Sequence, residues 1–146
     1  MKKSHTAGNV SLAIAKKMAE AVEQSALEMH VPVVFSVVDG GANTLLVQRM
    51  DQAFITSYEI ALNKAWTACC LKKPTHEITH EITHDVQPGQ SLYGLQLSNQ
   101  QRIVIFGGGF PIIENGQVIG AVGVSGGTVE QDIQLAVVAL NCFSQN

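Results

Sequence analysis

Charge is what this chain has least of. Only 14% of its 146 residues are Asp, Glu, Lys or Arg, against about 25% in an ordinary soluble domain. So little polar cover on a small protein is most simply explained by a buried interface between identical subunits. The net charge of -3 is mild and both signs are scattered. No basic patch marks a nucleic-acid surface, and no acidic tail marks a histone-like partner. Long apolar runs are missing as well: none approaches the roughly 20 residues of a membrane-spanning helix. The N-terminal apolar stretch is interrupted by Lys16, Lys17 and Glu20, too soon for the core of a signal peptide, so a cytoplasmic location is expected. Cysteine is scarce, with Cys69, Cys70 and Cys142 alone. An odd number containing an adjacent pair builds neither a disulfide framework nor a CxxC metal site, which leaves small apolar core residues as the expected role.

Residues 1–146 are the length of one domain. In 11–29 the apolar residues Leu12, Ala15, Met18, Ala19, Val22, Ala26 and Met29 recur three and four apart, the stripe of an amphipathic helix, with Pro32 expected to end it. VPVVFSVVD reads as a central strand, Asp39-Gly40-Gly41-Ala42-Asn43 as a turn, and TLLVQRM as the returning strand. Thr56-x-x-Glu59 opens a second helix that stops before Pro74. The tandem HEITHEITH follows, helical by spacing. Two strands, or one strand with an irregular entry, are then expected in 91–97 and 101–106. A hairpin around Asn115-Gly116 comes next, and a last helix is capped by Thr128-x-x-Gln131. Segregated hairpins and helices predict an α+β domain with an antiparallel sheet.

Glycine is where the chain is rich. Eight of its thirteen glycines fall in 106–128, FGGGFPIIENGQVIGAVGVSGGT, a density that signals tight turns and close backbone approaches. Ser125-Gly126-Gly127-Thr128 at a helix start offers free N–H groups to an anion, although a capped glycine turn needs no ligand. The stretch lacks the Lys-Ser/Thr ending of a P-loop and the βαβ surroundings of a dinucleotide fingerprint. Arg49, Asp51 and Lys64 are charges placed beside apolar stripes, suited either to an internal ion pair or to anchoring a ligand. No nucleophile with its base can be assembled, so catalytic residues stay unassigned. HEITH matches H-E-x-x-H, a zinc-helix spacing. The missing third ligand and the flanking Pro74 and Pro88 favour a solvated helix face, with His76, His80 and His84 as metal or haem-iron ligands the chemical alternative.

VVFSVVDGGANTLLVQRMDQA, ALNKAWTA and GGGFPIIENGQVIGAVGVSGGTVEQD together resemble the GlcG/HbpS-like family and the C-terminal domain of PduO-type cobalamin adenosyltransferases. The resemblance implies a profilin-like α/β/α fold around a five-stranded antiparallel sheet. It also implies a homo-oligomer, tetramer or octamer, and haem as cofactor in an accessory protein near cobalamin-dependent diol or glycerol metabolism. The positions it carries over are Asp39, Gly41, Arg49, Asp51, Lys64, Gly107, Gly108, Gly109, Pro111, Gly116, Gly120, Gly123, Ser125, Gly126, Gly127 and Asp132. The histidine repeat is not among them. Asp39, Gly41, Gly116, Gly120 and Gly123 read best as turn and packing positions. The expected pocket is therefore Arg49, Asp51 and Lys64 facing Gly107 to Gly109, Ser125 to Thr128 and Asp132, holding an anionic small molecule. An enzyme of small metabolites using Asp51 or Lys64 as acid or base, and a structural oligomer without ligand, are the rival expectations.

Overall fold

The computed structural model describes residues 1–82 and 85–146, and of residues 79–82 the backbone alone. Among the described residues, four α-helices and four strands follow in the order α1 (Leu12–Met29), β1 (Val34–Asp39), β2 (Thr44–Arg49), α2 (Ser57–Leu71), α3 (Thr75–Ile82), β3 (Gly109–Glu114), β4 (Gln117–Ser125) and α4 (Val129–Ser144). The strands form one antiparallel sheet in the order β2-β1-β4-β3. Helices α1 and α4 pack on one face and α2 on the other.

The side-chain period of two sorts β1 and β4 between those faces. Phe35, Val37, Val122 and Val124 point into the main core with Met18, Val22, Leu135 and Ala139. Val34, Val38 and Ala121 point to α2, where they meet Ala61, Ala65 and Ala68. Alanines at this spacing let α2 lie very close to the sheet. Ser36 Oγ donates 2.8 Å to the Ala61 carbonyl, and a Cβ on Gly123 would run into that same carbonyl.

Both hairpin turns follow their sequence chemistry. Asp39 Oδ1 accepts from the N–H groups of Gly41 and Asn43, each at 2.9 Å, and Asn115 and Gly116 both take positive φ, at 51° and 75°, as a two-residue hairpin requires. Ser11 caps α1, its side chain accepting from Ile14 N–H, and the helix stops ahead of Pro32 as expected. His30 turns left-handed at φ 56°, and Val31 N–H donates to the Ala26 carbonyl at 3.0 Å.

The expected fifth strand is absent from the described residues. In place of strands at 91–97 and 101–106 there are two short 3-10 turns, Leu95–Leu97 and Asn99–Gln101, followed by an extended stretch outside the sheet. Gly94, Asn99, Gln100 and Gln101 all adopt positive φ, which breaks any extended run. The backbone groups that a strand would pair are taken by helix α2 instead: Thr67 Oγ1 accepts from Val104 N–H and donates to the Arg102 carbonyl, both at 3.0 Å. The cysteines also divide: Cys69 is a buried core residue as expected, whereas Cys70 is exposed and Cys142 half-buried.

Candidate functional site

Helix α2 opens on Ser57 and carries Lys64 on the face turned to the sheet. Because its neighbours there are alanines, the long side chain of Lys64 runs beneath the helix and is fully buried. Its Nζ donates 2.8 Å to Asp132 Oδ2 and 2.8 Å to the Val124 carbonyl, and the Phe106 ring centroid lies 5.1 Å away. Two hydrogen bonds and a π face satisfy the ammonium. Burial holds Lys64 below its ordinary 10.5 and Asp132 above its ordinary 3.8, in each case against the pull of the partner. Desolvation of both charges thus outweighs their attraction, the usual balance for a buried pair.

The helix start that the glycine pattern marks as an anion site is filled by the chain itself. Asp132 Oδ1 accepts from Gly127 N–H at 2.9 Å, and the Gly126 N–H also favours that carboxylate. Thr128 is spent on the capping box, accepting from Gln131 N–H at 3.2 Å while its own N–H donates 2.9 Å to Gln131 Oε1. Ser125 Oγ donates to Ser57 Oγ at 3.1 Å. The three preceding glycines fit against this knot. Gly108 sits at φ 120°, and a Cβ there would stand 2.8 Å from both Lys64 Nζ and the Val124 carbonyl. Gly107 and Gly109 leave room for Ile133 and for the backbone of Lys64. Lys64, Asp132, Gly107 to Gly109 and Ser125 to Thr128 are therefore brought together, as a closed polar joint between α2, β4 and α4.

The open ground lies on the outer side of α2. One groove of about 600 Å³ is lined by Arg49, Ile55, Thr56, Tyr58 and Glu59. A second, of about 580 Å³, runs from Thr56 and Glu59 past Asn63 to Gln96, Leu97, Ile103 and Phe106. The shared Thr56 and Glu59 make the two continuous. Their walls include Ile55 at 84% exposure and Leu97 at 67%, strongly apolar positions for an open surface. Phe106 belongs to both features, since its ring covers Lys64 from the groove side.

Arg49 and Asp51 do not face the glycine loops. Arg49 is exposed at the end of β2, two strands from Ser125 along the rung Arg49, Val34, Ser125, and it lines the first groove. Asp51 is exposed on a different depression, with His30, Pro32 and Met50. Neither pairs with the other or with Lys64; the one ion pair among the described residues is Lys64 with Asp132. Asp51 and Lys64, either of which was the expected acid or base, thus do not share a pocket. His76 lies on α3 with its ring 5.3 Å from Phe110 and its Nδ1 buried without a partner. The side chain of His80 and all of His84 lie outside the described residues. Sequence reasoning passed over Tyr58, Glu59, Asn63 and Gln96, though Glu59 was in view as a cap. The exposed faces of an amphipathic helix and of an irregular loop carry no periodic signal that would pick them out.

Known proteins resemble this chain along most of its length. The model of the family described as haem degrading protein HbpS-like matches residues 10–141. The chain is 70% identical over 145 residues to an uncharacterized 15.0 kDa protein in the dhaT-dhaS intergenic region of Citrobacter freundii, covering 99% of each. It is 41% identical over 124 residues to the corrinoid adenosyltransferase PduO of the same organism, matching 85% of this chain but only 36% of that protein. Among solved structures, PduOC in complex with haem superposes with a TM-score of 0.84 at 39% identity, over 92% of this chain and 94% of that one.

Proposed function

The chain belongs to the HbpS-like family, and from that premise we propose that it is a small accessory protein that binds a tetrapyrrole, haem first, in the groove outside α2. The observation that carries the reading is the pairing of an apolar, solvent-open groove with the exposed guanidinium of Arg49 at one end. A flat macrocycle buries its rings against Ile55, Tyr58, Leu97 and Phe106, and a propionate takes the bidentate hydrogen bonding that Arg offers. Tyr58 supplies a phenol on the same wall, one of the protein groups that ligate haem iron. Bound haem brings redox-capable iron; the chain's part is to hold and orient it. Lys64, sealed by Asp132, contributes by fixing Phe106 rather than by touching the ligand.

The solved complex of PduOC with haem supports haem as the ligand, and the likeness to PduO supports a place beside cobalamin-dependent diol or glycerol metabolism, in the cytoplasm. Assembly into a homo-oligomer accords with the scarcity of charge and with the exposed apolar residues. No helix among the described residues is long and apolar enough to cross a membrane.

Haemin titration followed by Soret absorbance tests the reading. We expect a saturable shift, weakened by about tenfold in Arg49→Ala, the loss of one charge-assisted contact of roughly 1.4 kcal/mol. A linear, unsaturable response would overturn it. An undiminished affinity in Arg49→Ala would move the ligand elsewhere.

A further inference from the structure

The lip of the second groove is strained. Asn99, Gln100 and Gln101 are three successive left-handed residues, at φ 50°, 58° and 62°. Asn tolerates that region, but the two Gln residues are held there against the clash of Cβ with the following carbonyl. Gln96 Oε1, just before them, is buried without a hydrogen-bond partner, an acceptor whose desolvation is uncompensated. Leu97 beside it is 67% exposed. A strained turn, an orphaned acceptor and an uncovered leucine thus fall together in 96–101, on the side of the groove that faces α2. Strain gathered in this way belongs to segments that change conformation.

The segment lies between two pivots. At one end Gly94 takes φ 86°, open to glycine without penalty. At the other, the strained turn runs into a fixed foot: Thr67 Oγ1 holds the Arg102 carbonyl and Val104 N–H, both at 3.0 Å, and Arg102 stacks on Trp66 at 4.4 Å. Between the pivots, the backbone bonds donated by Leu95, Leu97, Ser98 and Gln101 all close within three residues, and Ser98 Oγ donates 2.6 Å to the Leu95 carbonyl. Among the described residues these bonds hold 95–98 together as one turn without tying it to α2. We propose that 95–98 is a lid. When a ligand fills the groove, 99–101 leaves the left-handed region, 95–98 turns about Gly94, and Leu97 closes over the ligand opposite Ile60 and Phe106. Closure over an empty groove would enclose a void, so the strained, open form is the resting one. The inference rests on the reading of the groove outside α2 as the haem site and adds a moving part to it.

Gln100 gives the test, because its side chain is exposed and lines neither groove. Gln100→Gly removes the left-handed penalty from the open form alone. The free full-length chain should then melt higher and bind haemin roughly fivefold more weakly. Gln100→Val enlarges that penalty through its β-branch, so it should melt lower and bind haemin more tightly. A segment that only supports the fold gives unchanged or weakened binding in the valine variant, and either result would overturn the lid. In the unaltered chain, hydrogen exchange followed by mass spectrometry should slow at the amides of 95–101 when haemin is added, a measurement that holds even where a variant fails to fold. Saturable haemin binding with unchanged exchange at 95–101 would overturn the lid and leave the haem reading intact. Absence of saturable binding would overturn both.

Discussion

Lys64 shows how a residue can be singled out by sequence as half of an internal ion pair without its partner being named. A cation within an apolar stripe is unusual, and that much the spacing of helix α2 makes visible. Its partner lies 68 positions away, where no local pattern connects Lys64 to Asp132. Both charges are out of water, so removing one strands the other. Lys64→Met or Asp132→Leu alone should cost about 3–5 kcal/mol, read from the urea midpoint. The double variant Lys64→Met/Asp132→Leu should recover most of that loss. A double variant as unstable as the sum of the singles would show that the two charges are not each other's partners. Arg49 was recognised as a ligand-anchoring candidate from the same kind of signal and does line an open groove. Its position differs because it ends an edge strand, where no helix covers it.

At the scale of elements, the strands and helices with a strong period were legible: α1, the β1–β2 hairpin, α2, the Asn115-Gly116 hairpin and α4 stand where the spacing puts them. The region 85–108 was not. Its apolar residues alternate as a strand's would, but the decision falls to four positive φ angles at Gly94, Asn99, Gln100 and Gln101 and to the Thr67 hydroxyl. A side chain 35 residues away is invisible to local pattern. Helix α2 packs closely on β4 at Gly123. Gly123→Ala should destabilise by about 3 kcal/mol or more, because the added methyl meets helix backbone that cannot yield. Gly116→Ala, with no neighbour within 4 Å and only its positive φ to oppose it, should cost about 1–2 kcal/mol. Thermal denaturation of the two variants compares them directly, and equal losses would mean that α2 sits farther from the sheet.

For the whole molecule, the shortage of charge and the exposure of Phe54, Ile55 and Leu97 point the same way. Light scattering should give a mass that is a multiple of the 15.6 kDa chain, and Phe54→Glu should lower it; a monomer at every concentration would leave the low charge content without this explanation. The groove itself could not be foreseen in the chain, since it is assembled from one end of the sheet, one helix face and an irregular loop.

The joint of Lys64 and Asp132 also sets an order in time. Phe106, which walls the groove, rests over an ammonium whose counter-charge belongs to the last helix. A chain emerging from the ribosome can pair β1 with β2 and form α2 early. The groove gains a settled wall only after α4 has arrived, because contacts of such sequence separation close late. Under the proposed reading, ligand capture is thereby reserved for the finished chain, and a fragment ending before α4 exposes apolar surface without offering a completed site.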